Sequence, residues 1–558
     1  MPYNWKVVAG TAMLGISLTT AATISIAQTS IMEVRPQNVF EPLPFKALDD
    51  LGDLILESNP PSLLDDGEIA ADILRAREAD AYAQSIVTFM VGMGTVFTQD
   101  WAEVITCDEE NANYAGGWNR FKHIRTLLDH TFSDVVSPNT DTLYSMVFFD
   151  LQEEPMILSL PDNPDDRYFS AMLNDYYTNV QVRGSRSEGA NGTNILLLGP
   201  GQQEPDPSQF MPSGSLPKNC HDKNHGPFSG LHCHGNSQLP EPELPYDQVV
   251  RFITPLAHAL FRTQINGPED LDATHAFQDS FRATALSNFT GECAASNGVD
   301  CPPPKDFAEF CTDRGARGED AMFYWERMNR ALTLNPPPFY EIGLNELSKK
   351  FLLGEGFPTE NLQDELDIPE RSGLLKGIGT GSAIVKGLAI EFGEVFEGWV
   401  YNYALSAFGN YITGTPYDYE NRAMTNWVGF LGLSPDEAIY PYAYWGENEA
   451  GETLDLDGNS DWIIHFEAGE TPPVDAFWSI TMYKQETLLF HPNDDFKYQV
   501  RDSTVEFNDD GSLDIYISNV KPDNVSQANW IPAPLELFYL TARWYGPEEA
   551  ASSGEYRM

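Results

Sequence analysis

Basic side chains are scarce in this 558-residue chain: 33 Lys and Arg stand against 83 Asp and Glu, a formal charge of -50. Nucleic acid is held mainly through Lys and Arg, and no local basic stripe offsets the excess, so no nucleic-acid partner is expected. Anionic membrane surfaces are disfavoured on the same ground. The chain also lacks a Gly-x-Ser-x-Gly elbow, a Walker A loop and a His-Glu-x-x-His pair, the usual marks of serine hydrolases, nucleotide binders and zinc proteases. Gly377, Gly379 and Gly381 are too closely spaced for a dinucleotide fingerprint. No repeat of solenoid length occurs, and carboxylates are too numerous for a glycosidase pair to stand out. Core material is abundant: 42% hydrophobic and 12% aromatic residues argue for a folded chain, because a charge-expanded coil is poor in both. Acidity spread over the whole length is the composition of a surface kept hydrated in high salt.

Lys6 precedes an uncharged stretch from Val7 to Ala27 that ends in Ser25-Ile26-Ala27, small residues at the spacing a signal peptidase accepts. The stretch reads as a cleaved leader with Gln28 as the new N-terminus. Its Gly, Ser and Thr content makes it too polar for a permanent span, so no stable membrane insertion is expected after cleavage. A periplasmic or secreted location follows. Six cysteines in an exported chain favour disulfides. Proximity suggests Cys220 with Cys233, and Cys293 with Cys301 or Cys311.

Apolar spacing of three and four from Ala47 to about Leu128 reads as helix, and from Val135 short β-branched and aromatic runs bounded by turns read as strands. The predicted strands are Leu143 to Leu151, Met156 to Leu160, Tyr168 to Leu173, Val180 to Arg183 and Asn194 to Leu198. Helical spacing returns from Tyr246 to Leu286, at Met322 to Leu334 and from Gly381 to Tyr411; the last unit is again strand-like, with Trp462 to Phe466, Phe477 to Tyr483, Leu513 to Ser518 and Leu537 to Tyr545. The expected organisation is a leader over 1–27, a helical region over 28–134, a first β-sandwich over 135–245, a helical region with a cysteine-bearing insert over 246–439, and a C-terminal sandwich over 440–550. The class is therefore α+β and multidomain.

Asn119-Arg120-Phe121-Lys122-His123, Pro138 to Ser145, Asp150-Leu151 with Glu154-Pro155, and Asn174 to Asn179 together resemble the domain-of-unknown-function family 1254. Pro472 to Tyr483, Asp510 to Leu513, Asn529 to Pro534 and Trp544 to Pro547 resemble its usual C-terminal companion, family 1214; Tyr419, Arg422, Ala423 and Glu437 to Tyr440 match the region that links them. The resemblance implies a helical frame, an immunoglobulin-like sandwich and a jelly-roll-like C-terminal sandwich, often in exported bacterial proteins. It implies no reaction. Two inserts depart from the usual pattern, Lys218 to Pro240 and Ser287 to Asp320, and hold five of the six cysteines.

The segment Pro138 to Ser145 concentrates an amide, a carboxylate, hydroxyls and a phenol at the start of a strand, so one face could offer Asn139 and Asp141 to a ligand. The competing reading is that both stitch a turn by side-chain bonds to backbone. His123 is placed with Asn119 on one helical face and is the readiest proton carrier at neutral pH. The candidate site is then His123 as acid/base, Asp141 as its partner and Tyr144 as donor, with Asn119, Asn139, Asp175 and Tyr177 as ligand contacts. The expected partner is a small polar organic ligand held between the helical frame and the first sandwich, acted on by hydrolysis or another acid/base step. The alternative is a non-catalytic binding protein with the cysteine inserts as recognition loops. No metal site is assigned. Cys220, His221, His225, His232, Cys233 and His234 read as a disulfide-closed loop, and Asp455 to Asp461 as a solvated turn, because Ser460 stands where a calcium loop needs Gly and Phe466 where it needs Glu. No cofactor and no oligomeric state is legible.

Overall fold

The structure is a computed structural model that describes residues 7–10, 66–132, 137–206, 220–222, 231–233, 244–289, 306–312, 322–337, 346–391, 393–402, 419–448 and 450–558. Its helical frame begins with one long element, α1 (Asp66–Cys107). Helix α2 (Met322–Leu334), helix α3 (Ile368–Glu391) and helix α4 (Tyr419–Gly429) pack against it around Phe89, Met93, Trp325, Met328 and Ile378. Helix α3 approaches α1 closely because its facing stripe is glycine: a Cβ on Gly377 would meet Ser85, and one on Gly381 would meet Phe89. Ala81 to Gln99 carries no charge, so α1 has the length and composition of a membrane span, yet 67% of its most apolar window is buried inside the protein.

The first β unit holds two sheets. Strands β1 (Lys122–His123), β2 (Thr142–Asp150), β3 (Met156–Leu160), β4 (Phe169–Asp175), β5 (Val180–Gly184), β6 (Thr193–Leu198), β7 (Gln248–Arg251), β8 (Leu256–Gln264) and β9 (Arg282–Ala285) follow in chain order. One sheet runs β1-β2-β8-β4-β5 and the other β7-β6-β3-β9. They enclose a shared core that includes Val147, Phe149, Leu158, Leu197, Ala259 and Phe261. The strand readings for β2 to β6 match to within two residues at each end.

Three sequence expectations are corrected. The apolar run from Tyr246 to Leu286 is not helical: it supplies β7, the central strand β8 and β9, with one short helix at Leu271–Gln278. Strand β8 is covered on both faces, and a strand buried on both sides loses the alternation that distinguishes it from helix. Residues after Cys107 leave the helix: turns close from Asn111 N–H to the Asp108 carbonyl and from Tyr114 N–H to that of Asn111, and Gly116, Gly117 and Asn119 then adopt positive φ (86°, 118° and 59°). Helix α3 ends at Glu391, and a hairpin of Glu394–Phe396 and Trp399–Tyr401 turns at Glu397-Gly398 (φ 44° and 88°) to join the C-terminal sheet.

The C-terminal unit also has two sheets. Strands β10 (Val474–Lys484), β11 (Gln499–Arg501) and β12 (Phe538–Pro547) belong to a seven-stranded sheet in which β12 and β11 flank β10. A six-stranded sheet includes Asp461–Phe466, Leu513–Ser518 and Val7–Gly10, the last lying between Trp445–Asn448 and Asp461–Phe466. Trp462, Ile464, Trp478, Ile480, Leu540 and Trp544 fill the layer between the two sheets. A disulfide joins Cys107, at the end of α1, to Cys311. Cys311 is therefore removed from the pairings expected from proximity, which considered Cys293 with Cys301 or Cys311. Cys293 and Cys301 lie outside the described residues; the backbone sets Cys220 directly opposite Cys233 in a two-stranded ladder.

Candidate functional site

Alternation along the C-terminal sheet sends Trp478, Ile480 and Met482 into its core and leaves Phe477, Ser479, Thr481 and Tyr483 on the other face of β10. Register adds Arg501 and Gln499 from β11 and Arg543 and Tyr545 from β12 to that polar and aromatic face. The segment Ser137 to Asp141, just before β2, is docked on it residue by residue. Arg543 Nη2 donates to the Ser137 carbonyl (2.8 Å), Tyr483 to that of Pro138 (2.6 Å), and Gln499 Nε2 to that of Thr140 (3.0 Å). Asn139 Nδ2 donates to the Tyr545 phenol (2.6 Å), and Ser479 Oγ donates to Asp141 Oδ2 (2.8 Å). Asn139 Oδ1 also takes the Asp141 backbone N–H. The turn-stitching reading thus holds for Asn139, and the partner surface is the C-terminal sandwich, not the helical frame.

The arginines of this seam have carboxylates in their neighbourhood, Asp141 acting on Arg543 and Asp502 on Arg501, but no close ion pair. Arg262, Arg501 and Arg543 are 5%, 8% and 4% exposed, and among the described residues no carboxylate lies within ion-pair distance of any of them. Arg262 is directly opposite Tyr144 in the β2–β8 register; its guanidinium lies 5.6 Å over the Tyr144 ring and donates to the Leu431 carbonyl (2.6 Å). Arg501 stacks on Phe477 (4.8 Å) and donates from Nη1 to the Ile265 carbonyl (2.7 Å). Its Nε and Nη2 have no partner, and neither has Asp141 Oδ1, although Asp141 is fully buried. The Tyr545 phenol feels Tyr440, Asp141, Arg543 and Tyr144, which fixes these groups as one cluster. Burial raises the Tyr440 phenol, with Arg262 and Arg543 pulling the other way. Tyr144 and Tyr440 nonetheless keep some accessible surface.

The other predicted residues fall elsewhere. His123 is on β1, not on a helix, opposite Ser145, whose side chain points away from Tyr144 by strand alternation. Its Nδ1 meets Ser145 Oγ at 2.8 Å, its ring stacks on Phe121, and burial, then Arg125, lowers its pKa to about 4. Asn119 accepts the Asp150 backbone N–H (2.9 Å) at the far end of β2, a stitch between loop and strand. Asp175 caps the β4–β5 hairpin, accepting from the N–H groups of Tyr177 (2.8 Å) and Asn179 (3.0 Å) and from Asn179 Nδ2 (2.7 Å). Burial lifts its pKa to about 6. Tyr177 donates to the Asn335 carbonyl at 3.0 Å and packs into the helical frame. The structure therefore gathers Asn139, Asp141 and Tyr144, and separates them from His123, Asn119, Asp175 and Tyr177.

Sequence reasoning missed Arg262, Arg501, Arg543 and Tyr440. The available signal was a cation inside a run that otherwise reads as buried strand, as in Leu260-Phe261-Arg262 and Thr541-Ala542-Arg543-Trp544. Among the described residues no group of three or more His, Cys, Asp or Glu converges to hold a metal. Asp457 accepts the Asn459 N–H at 2.9 Å in the turn before Asp461–Phe466, and the side chains of the Cys220–His234 loop lie outside the described residues.

Fold and site together define an α+β protein in which two β modules share a buried polar seam. Residues 118–285 match the model for Protein of unknown function (DUF1254) and residues 437–549 that for Protein of unknown function (DUF1214). The chain belongs to the proteins that carry this pair. A crystal structure of the VPA0106 protein from Vibrio parahaemolyticus is similar in fold, with a TM-score of 0.59 at 20% identity over 86% of this chain and 98% of that one. A putative uncharacterized protein from Burkholderia cenocepacia aligns over 91% of this chain and 92% of its own at 13% identity, with a TM-score of 0.34. No curated protein matches the chain.

Proposed function

We propose that this protein binds a small, negatively charged, polar organic molecule in the seam between its two β modules. One observation carries the reading: the seam buries Arg262, Arg501 and Arg543 beside Asp141 and the phenols of Tyr144 and Tyr440, and among the described residues none of the three has a carboxylate within ion-pair distance. A charge held out of water carries a desolvation cost, which the carbonyls of Leu431, Ile265 and Ser137 offset only in part for Arg262, Arg501 and Arg543. A bound anion offsets the rest of that cost. The ligand site is thus moved from the helical frame to the C-terminal module, with Asn139 as a seam strut.

Asp141 and Tyr144 are the groups suited to an acid/base step on that ligand, Asp141 through its unpartnered Oδ1 and Tyr144 as donor. A non-catalytic binding role is favoured by the distance of His123 from the cluster, since its ring is turned to Ser145. Export with cleavage after Ala27 remains part of the proposal, supported by the Cys107–Cys311 bridge. In that form Val7–Gly10 would leave the six-stranded sheet with the leader. The two β units are read as immunoglobulin-like and jelly-roll-like.

The test is calorimetric titration of the full chain with a panel of small carboxylates, phosphates and sulfonates. At least one class binds the wild type, and Arg262→Gln weakens it by about tenfold or more, the loss expected when a charged hydrogen-bond partner of the ligand is removed. Under the acid/base reading Asp141→Asn abolishes turnover of the bound class even at concentrations that saturate the site. A wild type that binds no anion in the panel refutes the proposal.

A further inference from the structure

Resting on the anion-binding reading above, we propose that the ligand's charged head is a carboxylate whose adjoining carbon bears a hydroxyl or ammonium group, gripped between Arg501 on one side and Asp141 with Gln499 on the other. Nη1 of Arg501 is committed to the Ile265 carbonyl, and the ring of Phe477 fixes the guanidinium plane. What remains free is the edge formed by Nε and Nη2, both buried and both without a partner. Those two N–H groups lie parallel and match the two oxygens of a carboxylate. Simple anions of other shapes could also take that edge, so the discriminating groups are the acceptors beside it.

Asp141 is fully buried; its Oδ2 takes the Ser479 hydroxyl, and its Oδ1 takes nothing. Gln499 donates from Nε2 to the Thr140 carbonyl, which turns its Oε1 the other way, and that oxygen is also buried and unpartnered. Register brings these groups together. Ser479 is directly opposite Arg501, and Gln499 is two residues from Arg501 on the same face of β11. The β2–β8 ladder pairs Thr142 with Gln264, so the Ile265 carbonyl that holds Arg501 is the next step beside Asp141. Two unpartnered donors and two unpartnered acceptors thus belong to neighbouring residues of this register.

A fully deprotonated phosphate or sulfate would satisfy the donors but press its remaining oxygens on Asp141 and Gln499. A plain carboxylate would leave both acceptors empty, and a buried acceptor without a donor costs about 1–3 kcal/mol. A carboxylate with a neighbouring ammonium satisfies all four atoms, and one with a neighbouring hydroxyl, which has a single hydrogen to donate, satisfies three. Lactate, alanine, propionate and sulfate separate the alternatives as probes. In calorimetry and thermal unfolding of the full chain, lactate or alanine binds about tenfold or more tighter than propionate or sulfate, as for sites that hydrogen-bond a ligand hydroxyl. Whichever of lactate and alanine is tighter identifies the donor.

Arg501→Gln removes that binding. Arg501→Lys, which keeps the charge and loses the parallel edge, does the same and is the variant to read if Arg501→Gln does not fold. Asp141→Asn brings lactate or alanine down to the level of propionate. Propionate or sulfate binding as tightly as lactate and alanine, or Arg501→Lys binding like the wild type, overturns this inference; if Arg262→Gln still weakens binding about tenfold or more, the seam stands as an anion site of different chemistry. Absence of binding by every anion would instead refute the seam reading itself.

Discussion

His258 has zero exposure, Trp101 at 4.8 Å and Phe148 at 5.1 Å on its ring, and no hydrogen-bond partner on either nitrogen. Burial lowers its pKa to about 3, as burial and then Arg125 lower that of His123 to about 4. Both folded values lie below the unfolded value of 6.5, so their stabilisation is complete above pH 6.5 and is lost as pH falls toward 4 and 3. Asp175 acts oppositely: its folded pKa of about 6 exceeds the unfolded 3.8, so it favours the fold more in acid and less as pH rises through 6. Unfolding midpoints measured from pH 7.5 down to 4 should therefore fall below about pH 6.5. His258→Leu should flatten that fall while costing no more than about 1 kcal/mol at pH 7.5, since it removes an unsatisfied polar group along with some packing. At this scale the sequence disclosed residue types better than their surroundings. Asp141 and Tyr144 were legible because polar groups crowded the head of a strand. Arg501 was not, because its significance lies in Ile265 and Asp141, which are brought to it only by the fold.

Strand β8 and helix α2 make a useful contrast among the elements. Met322–Leu334 was legible residue for residue because helical spacing over thirteen positions has a period of its own. Leu256–Gln264 carries no strand signal in the sequence because apolar layers cover both of its faces, and periodicity vanishes when nothing faces water. The cysteine pairings show the same limit: proximity suggested short loops, whereas Cys311 reaches back 204 residues to Cys107 and ties the segment carrying Phe307 and Phe310 onto the end of α1. Closing a loop of that length is worth about 5 kcal/mol in the chain-entropy model, so Cys107→Ala with Cys311→Ala should lower stability by up to that amount in denaturant titrations. A change below about 0.5 kcal/mol would mean that the bridge adds nothing to the packing of Trp118 on Phe310.

For the whole molecule, like-charge repulsion at -50 opposes compactness, and added salt screens it. The unfolding midpoint should rise between about 0.05 and 1 M NaCl, where the screening length drops from more than 10 Å to about 3 Å; a flat or falling midpoint would show that the surface acids are already balanced locally. The α+β class and the succession of β units were legible from turn chemistry and strand patterns. Their mutual placement was not, because no local pattern says that residues 137–141 will lie on a sheet built by residues 474–547. That strap also bears on inheritance. With Ser137 through Asp141 each held by the partner module, neither module is portable: recombination that moved one alone would strip the lining from both, so the two must be passed on as a pair.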